Sequence, residues 1–309
     1  MALRTLVIVN PRSRNGATGR RWAGLEAQIR SALGPVESEV TRGPRDAERL
    51  AREAVRSGVE RLLVAGGDGT LGEVVSGLLG AGLGGYAELG MLPLGTGSDY
   101  ARSLGVPREL EAALECIAAG QTRRVDAGRV RFRGQRGEER VACFANVASF
   151  GISGLVDQIV NRSSKFLGGR VSFLLAALRA ILRFRSERIA LRVDGELVED
   201  APLVLATAAN GRWFGAGMHV APRASLDDGL FDVVVVKDLS KPALLMKLPR
   251  LYAGTHLEDP AVRLVRGRIV EADAAPGRVP LELDGEPLGT LPARFEVLPG
   301  ALRVIAPPA

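Results

Sequence analysis

A glycine-rich turn with an acidic and a hydroxyl side chain stands between an apolar run and a helical pattern. The turn is Gly66-Gly67-Asp68-Gly69-Thr70, and Leu62–Ala65 precede it. The apolar residues that follow recur at helical spacing, so the order is strand, turn and helix. Glycines let a backbone pass close to a phosphate, and the first N–H groups of a helix supply donors and a positive dipole end. We interpret this turn as the phosphate cradle of a nucleotide site.

Two known phosphate motifs fit this turn poorly. Gly67, Gly69 and Gly72 match G-x-G-x-x-G, but Asp68 puts a carboxylate where a pyrophosphate would pack. A Walker loop needs a lysine, and the first lysine of the chain is Lys165. Phosphates would therefore be held by backbone amides, arginine and a metal ion. The alternative is a turn that joins a strand to a helix and binds nothing.

A second loop repeats this chemistry after the apolar run Met91–Leu94. It reads Gly95-Thr96-Gly97-Ser98-Asp99 and is followed by a helix start. Loops after neighbouring parallel strands face one crevice, so we expect Asp68 and Asp99 to lie close together. Paired carboxylates in a phosphate site require a cation, which implies Mg²⁺. The alternative for Asp99 is a helix N-cap.

The elements that position these loops alternate between strands and helices. Strands at 3–9 and 36–40 and helices at 20–33, 46–57 and 109–120 predict an α/β domain with a parallel sheet. From Arg129 the pattern becomes strands with turns, including one over 141–148, and helices interrupt at 168–185 and 241–253. This pattern predicts a mostly antiparallel β-sandwich domain. We place the domains at 1–127 and 128–309, and expect the last residues to pack back on the first domain.

The amino-acid composition is typical of an ordinary globular protein. Its 309 residues are 46% hydrophobic and 25% charged, with a net charge of +6. Cys116 and Cys143 indicate neither a disulfide framework nor a metal site, which fits the cytoplasm. The positive charge favours an anionic partner such as a nucleotide or acidic lipid, or reflects codon bias, since only four of the 41 basic residues are lysine. Without a basic tail or interleaved aromatic residues, no nucleic acid partner is expected.

Five motifs in order resemble one family, the diacylglycerol-kinase-like lipid kinases, which include sphingosine kinases. The soluble bacterial members are the most similar. The motifs span nearly the whole chain: Asn10–Gly16, Gly66–Thr70, Pro93–Arg102, Asn210–Leu230 and Asp284-Gly285-Glu286. Ser98 and Gly72 stand where the family usually has Asn, and Tyr100 replaces a usual Phe.

The resemblance implies an enzyme that uses ATP and Mg²⁺ to phosphorylate a lipid hydroxyl. It implies Glu286 as the proton acceptor and a structural metal at Ser225, Asp228 and Leu230, partly through main-chain oxygens. The implied ATP contacts are Asn10, Pro11, Arg12, Ser13, Arg14, Thr41, Gly66, Gly67, Asp68, Gly69, Thr70, Leu71, Gly72 and Thr96.

The base and the reaction both have alternatives. His219 and His256 are interpreted as structural, so a carboxylate is the better base, with Glu286 first and Asp68 second. Asp-Gly is also a strong hairpin signal, and the tripeptide recurs at Asp194-Gly195-Glu196. An NAD kinase shares the Gly-Gly-Asp-Gly-Thr loop, but its Asn-Glu pair for the ribose is not found. A nucleotide-binding regulator without catalysis is the non-enzyme alternative.

A bilayer substrate requires membrane contact. We expect neither a signal peptide nor a spanning helix, hence a cytoplasmic protein with transient, peripheral contact at the inner membrane surface. The candidate stretches are Arg162–Arg185 and Lys241–Tyr252, with partial insertion of Phe173 or Leu245. Periodicity alone favours the alternative that the helix of the first stretch, Arg170–Arg185, is part of the core. A homodimer is left open.

Overall fold

The computed structural model describes residues 3–95, 97–134, 137–162 and 169–308. The chain divides into two compact units. One unit contains the residues up to Asp126 and those from Gly300 onward, and the other runs from Ala127 to Pro299. The predicted boundary at 127/128 lies next to this division.

The first unit alternates strands with helices. Its strands are in the order β2-β1-β3-β4, and each neighbouring pair is parallel. The C-terminal end of β14 (Glu286–Ile305) adds beside β4, where Arg303 pairs with Glu88. The elements are β1 (Thr5–Val9), α1 (Ala17–Leu33), β2 (Glu37–Val40), α2 (Asp46–Arg56), β3 (Arg61–Gly66), α3 (Asp68–Gly80), β4 (Glu88–Pro93), α4 (Asp99–Leu104) and α5 (Leu110–Ala119).

Strands β1, β3 and β4 of this sheet are buried on both faces, whereas β2 at its edge is mostly exposed. Val7 and Ile8, which are neighbours on β1 and so lie on opposite faces, both have no exposed surface, as expected for parallel strands covered by helices. The loops that follow β1, β3 and β4 all leave the carboxyl edge of the sheet. That edge is where ligands bind in open α/β sheets.

The second unit is built from antiparallel pairs, with β7 and β9 in its interior and β13 beside β7. Phe144 stacks on Phe231 with ring centroids 5.6 Å apart, within one apolar core. The elements are β5 (Thr122–Arg133), β6 (Glu139–Phe144), β7 (Val147–Gly151), α6 (Ile152–Arg162), α7 (Gly169–Arg183), β8 (Glu187–Val193), β9 (Glu196–Ala209), β10 (Phe231–Lys237), α8 (Lys241–Ala253), β11 (Val262–Gly267), β12 (Ile269–Asp273), β13 (Pro280–Leu283) and β14.

One strand prediction is wrong. The single strand expected over 141–148 is divided into β6 and β7, because Ala145 and Asn146 lie between them with their N–H groups bonded to the carboxylate of Asp284. The helix α6 directly after β7 was not predicted. Within the described residues, no helix combines the length and apolar character needed to cross a bilayer.

Candidate active site

The two glycine-rich loops of the first unit are in backbone contact. A Cβ built on Gly95 would lie 2.3 Å from the Cα of Gly67, far inside the van der Waals distance. Gly95 therefore needs glycine, because a side chain there would push the two loops apart, whereas a Cβ on Gly67 would lie 3.3 Å from the Cα of Gly95 and would require only a small shift. The predicted closeness of these loops is confirmed.

Asp68 joins the two loops through its side chain. Its carboxylate accepts the N–H groups of Asp99 and Tyr100, each at 3.1 Å. These are the first two residues of α4, so Asp68 caps that helix from the neighbouring loop. Burial raises the pKa of Asp68, while the backbone N–H donors oppose this shift.

Asp99 lies beside Asp68, as predicted, but it is not the N-cap residue of α4. It begins α4, and its own carboxylate lies 4.0 Å from the guanidinium of Arg102. Ser98 occupies the N-cap position at φ 53° without a side-chain cap bond. Asp68 and Asp99 are thus neighbours, but the carboxylate of Asp68 meets the main chain of Asp99.

The loop after β1 reaches the same edge of the sheet. Asn10 donates from Nδ2 to Oγ1 of Thr70 at 2.8 Å and accepts the N–H of Arg12 at 2.9 Å. Arg12 and Arg14 are exposed, while Pro11, Ser13 and Thr41 are half-buried. The Thr41 N–H donates to the carbonyl of Val9 at 2.8 Å, which fixes it at the end of β1.

The start of α3 has a geometry of the kind that binds anions in proteins, a helix N-terminus directly after a glycine turn. No side chain caps this helix, whose N-cap residue is Gly67. Gly69 and Gly72 are half-buried on its first turns. Leu71 differs, because its side chain is buried in the core and its N–H bonds to the carbonyl of Gly67 at 3.1 Å. Thr96 lies outside the described residues.

Glu73 was missed by the sequence analysis. Its two oxygens accept the N–H groups of Arg45, at 2.8 Å, and Ala47, at 3.1 Å, so it caps α2. Burial is the main cause that raises the pKa of Glu73. The signal was a second acid, after Asp68, among the apolar residues of α3. Through Asp68 and Glu73, α3 thus caps the starts of two neighbouring helices, α4 and α2.

In the second unit, Asp284 and Gly285 form the two-residue turn between β13 and β14. Their φ angles of 49° and 86° are left-handed, as a type I′ turn requires. The Asp284 carboxylate accepts N–H groups of Ala145, Asn146 and Val147 at 2.9–3.0 Å. Glu286 follows the turn as the exposed first residue of β14.

Glu282 stands two residues before this turn and was also missed. It is 2% exposed, accepts a hydrogen bond from the Ser149 hydroxyl, and accepts the Gly285 N–H at 2.8 Å. Burial raises the pKa of Glu282 to about 8. An acid between two leucines, Leu281 and Leu283, was the available signal, but only the tertiary structure buries it.

The loop predicted to hold a metal has other partners. Asp228 contacts the guanidinium of Arg266 and accepts the Leu230 N–H at 3.0 Å, and Ser225 donates to Asp227 at 2.7 Å. One Asp228 oxygen is thus bonded to a guanidinium and the other to a backbone N–H, and a metal ion at this loop stays a prediction. Among the described residues, His, Cys, Asp and Glu form no cluster of three or more suited to a metal.

Comparisons with known proteins agree with the motif order. The family described as "Diacylglycerol kinase catalytic domain" matches residues 4–130, and "YegS C-terminal NAD kinase beta sandwich-like domain" matches 146–306. A Mycobacterium tuberculosis protein named "Diacylglycerol kinase" is 32% identical over 97% of this chain and 94% of its own length. "Probable lipid kinase YegS" of Salmonella schwarzengrund is 32% identical over 98% and 96%.

Solved structures share the fold. A diacylglycerol kinase from Bacillus anthracis superposes with a TM-score of 0.73 at 22% identity, over 99% of this chain and 97% of its own. An NAD kinase from Archaeoglobus fulgidus, solved with ATP, gives a TM-score of 0.51 at 13% identity, over 97% and 93%. The shared architecture is an N-terminal α/β domain followed by a β-sandwich-like domain.

The fold is thus one that kinases of two substrate classes share. Identity over nearly the full length then decides between the classes: the chain belongs to the diacylglycerol-kinase-like family of lipid kinases. It is a kinase, and a lipid is its substrate class. The reading as a regulator without catalysis is not supported.

Proposed function

We propose that this lipid kinase transfers the γ-phosphoryl group of ATP, with Mg²⁺, to a hydroxyl of diacylglycerol or a related lipid. The observation that carries the proposal is the backbone contact between Gly67 and Gly95, with Asp68 bonded across the two loops. A ligand-free turn would need neither two glycines at contact distance nor a half-buried acid.

The nucleotide phosphates are assigned to the start of α3. Its first N–H groups lack intrahelical acceptors, and no side chain caps them. Arg12 and Arg14 add exposed positive charge from the loop after β1, and Thr41 and Thr70 add hydroxyls. Of the predicted contacts, Leu71 is the least suited, because its side chain is in the core.

Asp68 fits Mg²⁺. Its partners are backbone N–H groups, and among the described side chains no guanidinium or ammonium group pairs with it, so the charge of this carboxylate is not already neutralised. Mg²⁺ binds through one or two carboxylates together with substrate phosphates and water, so no larger acidic cluster is needed. When bound, Mg²⁺ neutralises charge on the transferring phosphoryl group.

Glu286 is assigned as the proton acceptor for the lipid hydroxyl. It is exposed, and it is held at a defined position by a turn whose Asp284 makes three backbone bonds. Transfer of a phosphoryl group depends mostly on positioning and charge. A carboxylate on a rigid turn meets the positioning requirement.

Membrane contact is assigned to α7 and α8, which pack together. The described part of α7 buries Ala176, Ala177 and Ala180 but exposes Leu182, while α8 buries no residue and leaves Met246 75% exposed. Arg179, Arg183, Lys241 and Arg250 add exposed positive charge. Residues 163–168 and the side chain of Phe173 lie outside the described part, and Leu245 is 37% exposed.

The reaction is tested with labelled ATP and a panel of lipids in mixed micelles, with and without Mg²⁺. Asp68→Ala should lower the rate by about 100-fold or more. Asp68→Asn keeps an acceptor for the α4 cap, so circular dichroism of this variant should match the wild type while its rate stays low. A rate above about a tenth of wild type in Asp68→Asn would contradict the metal role.

Membrane contact is tested by sedimentation with vesicles. We expect binding to anionic vesicles at low salt and release at high salt. Met246→Glu should weaken it, whereas Tyr86→Glu, at a residue 74% exposed in the other unit, should not. Equal sedimentation of the two variants would show that α8 is not the contact surface.

A further inference from the structure

The starting observation is a buried polar row on one face of the second unit. Thr207, Ser149 and Glu282 are register partners on β9, β7 and β13, and all three are buried. Their neighbours in sequence point to the other face and build the apolar core, as Ala148 and Leu281 do. The row ends at Glu282, beside the turn that carries Glu286.

Glu282 connects the interior to that turn. One oxygen shares a hydrogen bond with the Ser149 hydroxyl, which is itself hydrogen-bonded to the Ser153 hydroxyl at 2.7 Å. The other oxygen accepts the N–H of Gly285 at 2.8 Å. Glu282 therefore joins the turn to the segment 145–149 through Ser149, in addition to the backbone bonds that Asp284 makes with that segment.

The charged groups around Glu282 are both acidic. Asp284 in the turn and Glu286 on β14 raise its pKa further, while β7 and α6 contribute the hydroxyls of Ser149 and Ser153 among the described side chains. A group with a pKa of about 8 carries its proton at neutral pH. Glu282 thus holds the turn as a neutral acid and adds no negative charge beside Glu286.

We propose that Glu282 is the positioning residue of the active-site turn: its side chain spans Ser149 and the Gly285 N–H and so sets where Glu286 meets the acceptor hydroxyl. The catalytic part of this inference rests on the proposed role of Glu286. The anchoring of the turn does not, and it has its own measurements.

Three variants separate charge from contact. Glu282→Gln keeps the shape and an acceptor but cannot ionise, Glu282→Ala removes both contacts, and Arg192→Ala is the control, because Arg192 precedes the other Asp-Gly-Glu turn by the same two residues. We expect Glu282→Ala to lower kcat about tenfold or more, with KM for ATP within about twofold, because misplacement of a catalytic group costs rate. The separate variant Glu282→Gln should retain a kcat within about threefold of the wild-type value at pH 7.

The substrate-free measurement is thermal stability against pH. The folded protein keeps a proton on Glu282 up to about pH 8, whereas an unfolded chain releases it near the ordinary value of 4.5. The wild type should therefore lose stability as pH rises between these values, relative to Glu282→Gln, and the difference should level off above pH 8. Amide exchange at Gly285 should become faster in Glu282→Ala and stay slow in Glu282→Gln.

Unchanged kcat in Glu282→Ala, or parallel stability curves for wild type and Glu282→Gln, would overturn the proposal. Loss of kcat in Glu282→Gln as large as in Glu282→Ala would also overturn it. If Glu286→Gln stays active while the stability and exchange results hold, the base assignment falls and the anchoring of the turn is supported.

Discussion

Two hairpins of this protein share the sequence Asp-Gly-Glu and nearly the same local structure. In both, the Asp and Gly are left-handed: 50° and 86° at Asp194-Gly195, and 49° and 86° at Asp284-Gly285. Both also have a register shift two residues before the Asp, at Leu191/Arg192 and at Leu281/Glu282. The tripeptide and its turn therefore do not by themselves mark an active site.

The hairpins also use their aspartates alike. Asp194 accepts the N–H groups of Arg268 and Ile269, as Asp284 accepts those of Ala145, Asn146 and Val147. In each case the Asp N–H donates back to the adjoining strand, at Ile269 and Val147. Both turns therefore need Asp for a structural reason: its carboxylate accepts backbone N–H groups of a neighbouring segment.

The difference lies two residues upstream. Arg192 is exposed and faces Glu271 across the pair β8–β12, whereas Glu282 is buried and faces Ser149. The helix α6 packs on β13 and β7 and supplies Ser153 to that side. What distinguishes the two hairpins is therefore the environment that the rest of the unit builds around one of them.

The largest expected effect is a difference in kinase rate between substitutions at Glu286 and at Glu196, the glutamates of the two hairpins. Glu286→Gln should lower the kinase rate by about 100-fold or more, as for loss of a general base. Glu196→Gln, at the same position of the other hairpin, should leave the rate within about twofold. Steady-state assays with saturating lipid decide it, and similar rates in both variants would mean that the comparison fails.

The next effect compares the two aspartates. Asp284→Ala and Asp194→Ala each leave backbone N–H groups without an acceptor, which should cost about 1–3 kcal/mol of unfolding free energy in each. Only Asp284→Ala should also lower kcat, because only its turn carries Glu286. Denaturant unfolding and kinetics measure the two quantities, and an equal kinetic loss in Asp194→Ala would point to a general effect of instability.

The glycines of the two turns allow a matched pair of variants with a smaller expected effect. Gly285→Ala and Gly195→Ala meet no atom within 4 Å but require a left-handed alanine. Each should lose roughly 1–2 kcal/mol of stability. Unfolding free energies that differ by more than this range would show that one turn is strained in a way the other is not.

The smallest expected effect is that of Arg192→Ala. Substitution of an exposed residue that belongs to no core, helix cap or buried network changes the free energy of unfolding by about 0.5 kcal/mol or less. Thermal melting measures it. A loss comparable to that of Glu282→Ala would mean that burial is not what separates the two positions.

Most of the first unit was predictable because its signals are local. The apolar runs of β1, β3 and β4 and the glycine turns after them lie within short windows, so the order of strand, loop and helix follows from spacing. The helix over 241–253 was predicted with the bounds of α8, where Ser240 accepts the N–H of Ala243 as a cap. The predicted strand over 141–148 failed because its break comes from Asp284, more than a hundred residues away.

The candidate site likewise combines features that are local in the sequence with features that only folding creates. The sequence by itself determines that glycine loops, Asp68 and an Asp-Gly-Glu turn are present, because motif and turn chemistry depend on residues close in the chain. Only the tertiary structure decides that Asp68 caps α4, that Arg266 meets Asp228, and that Glu282 rather than Arg192 is buried beside its turn. The physical reason is that capping, ion pairing and burial depend on partners that folding brings from distant parts of the chain.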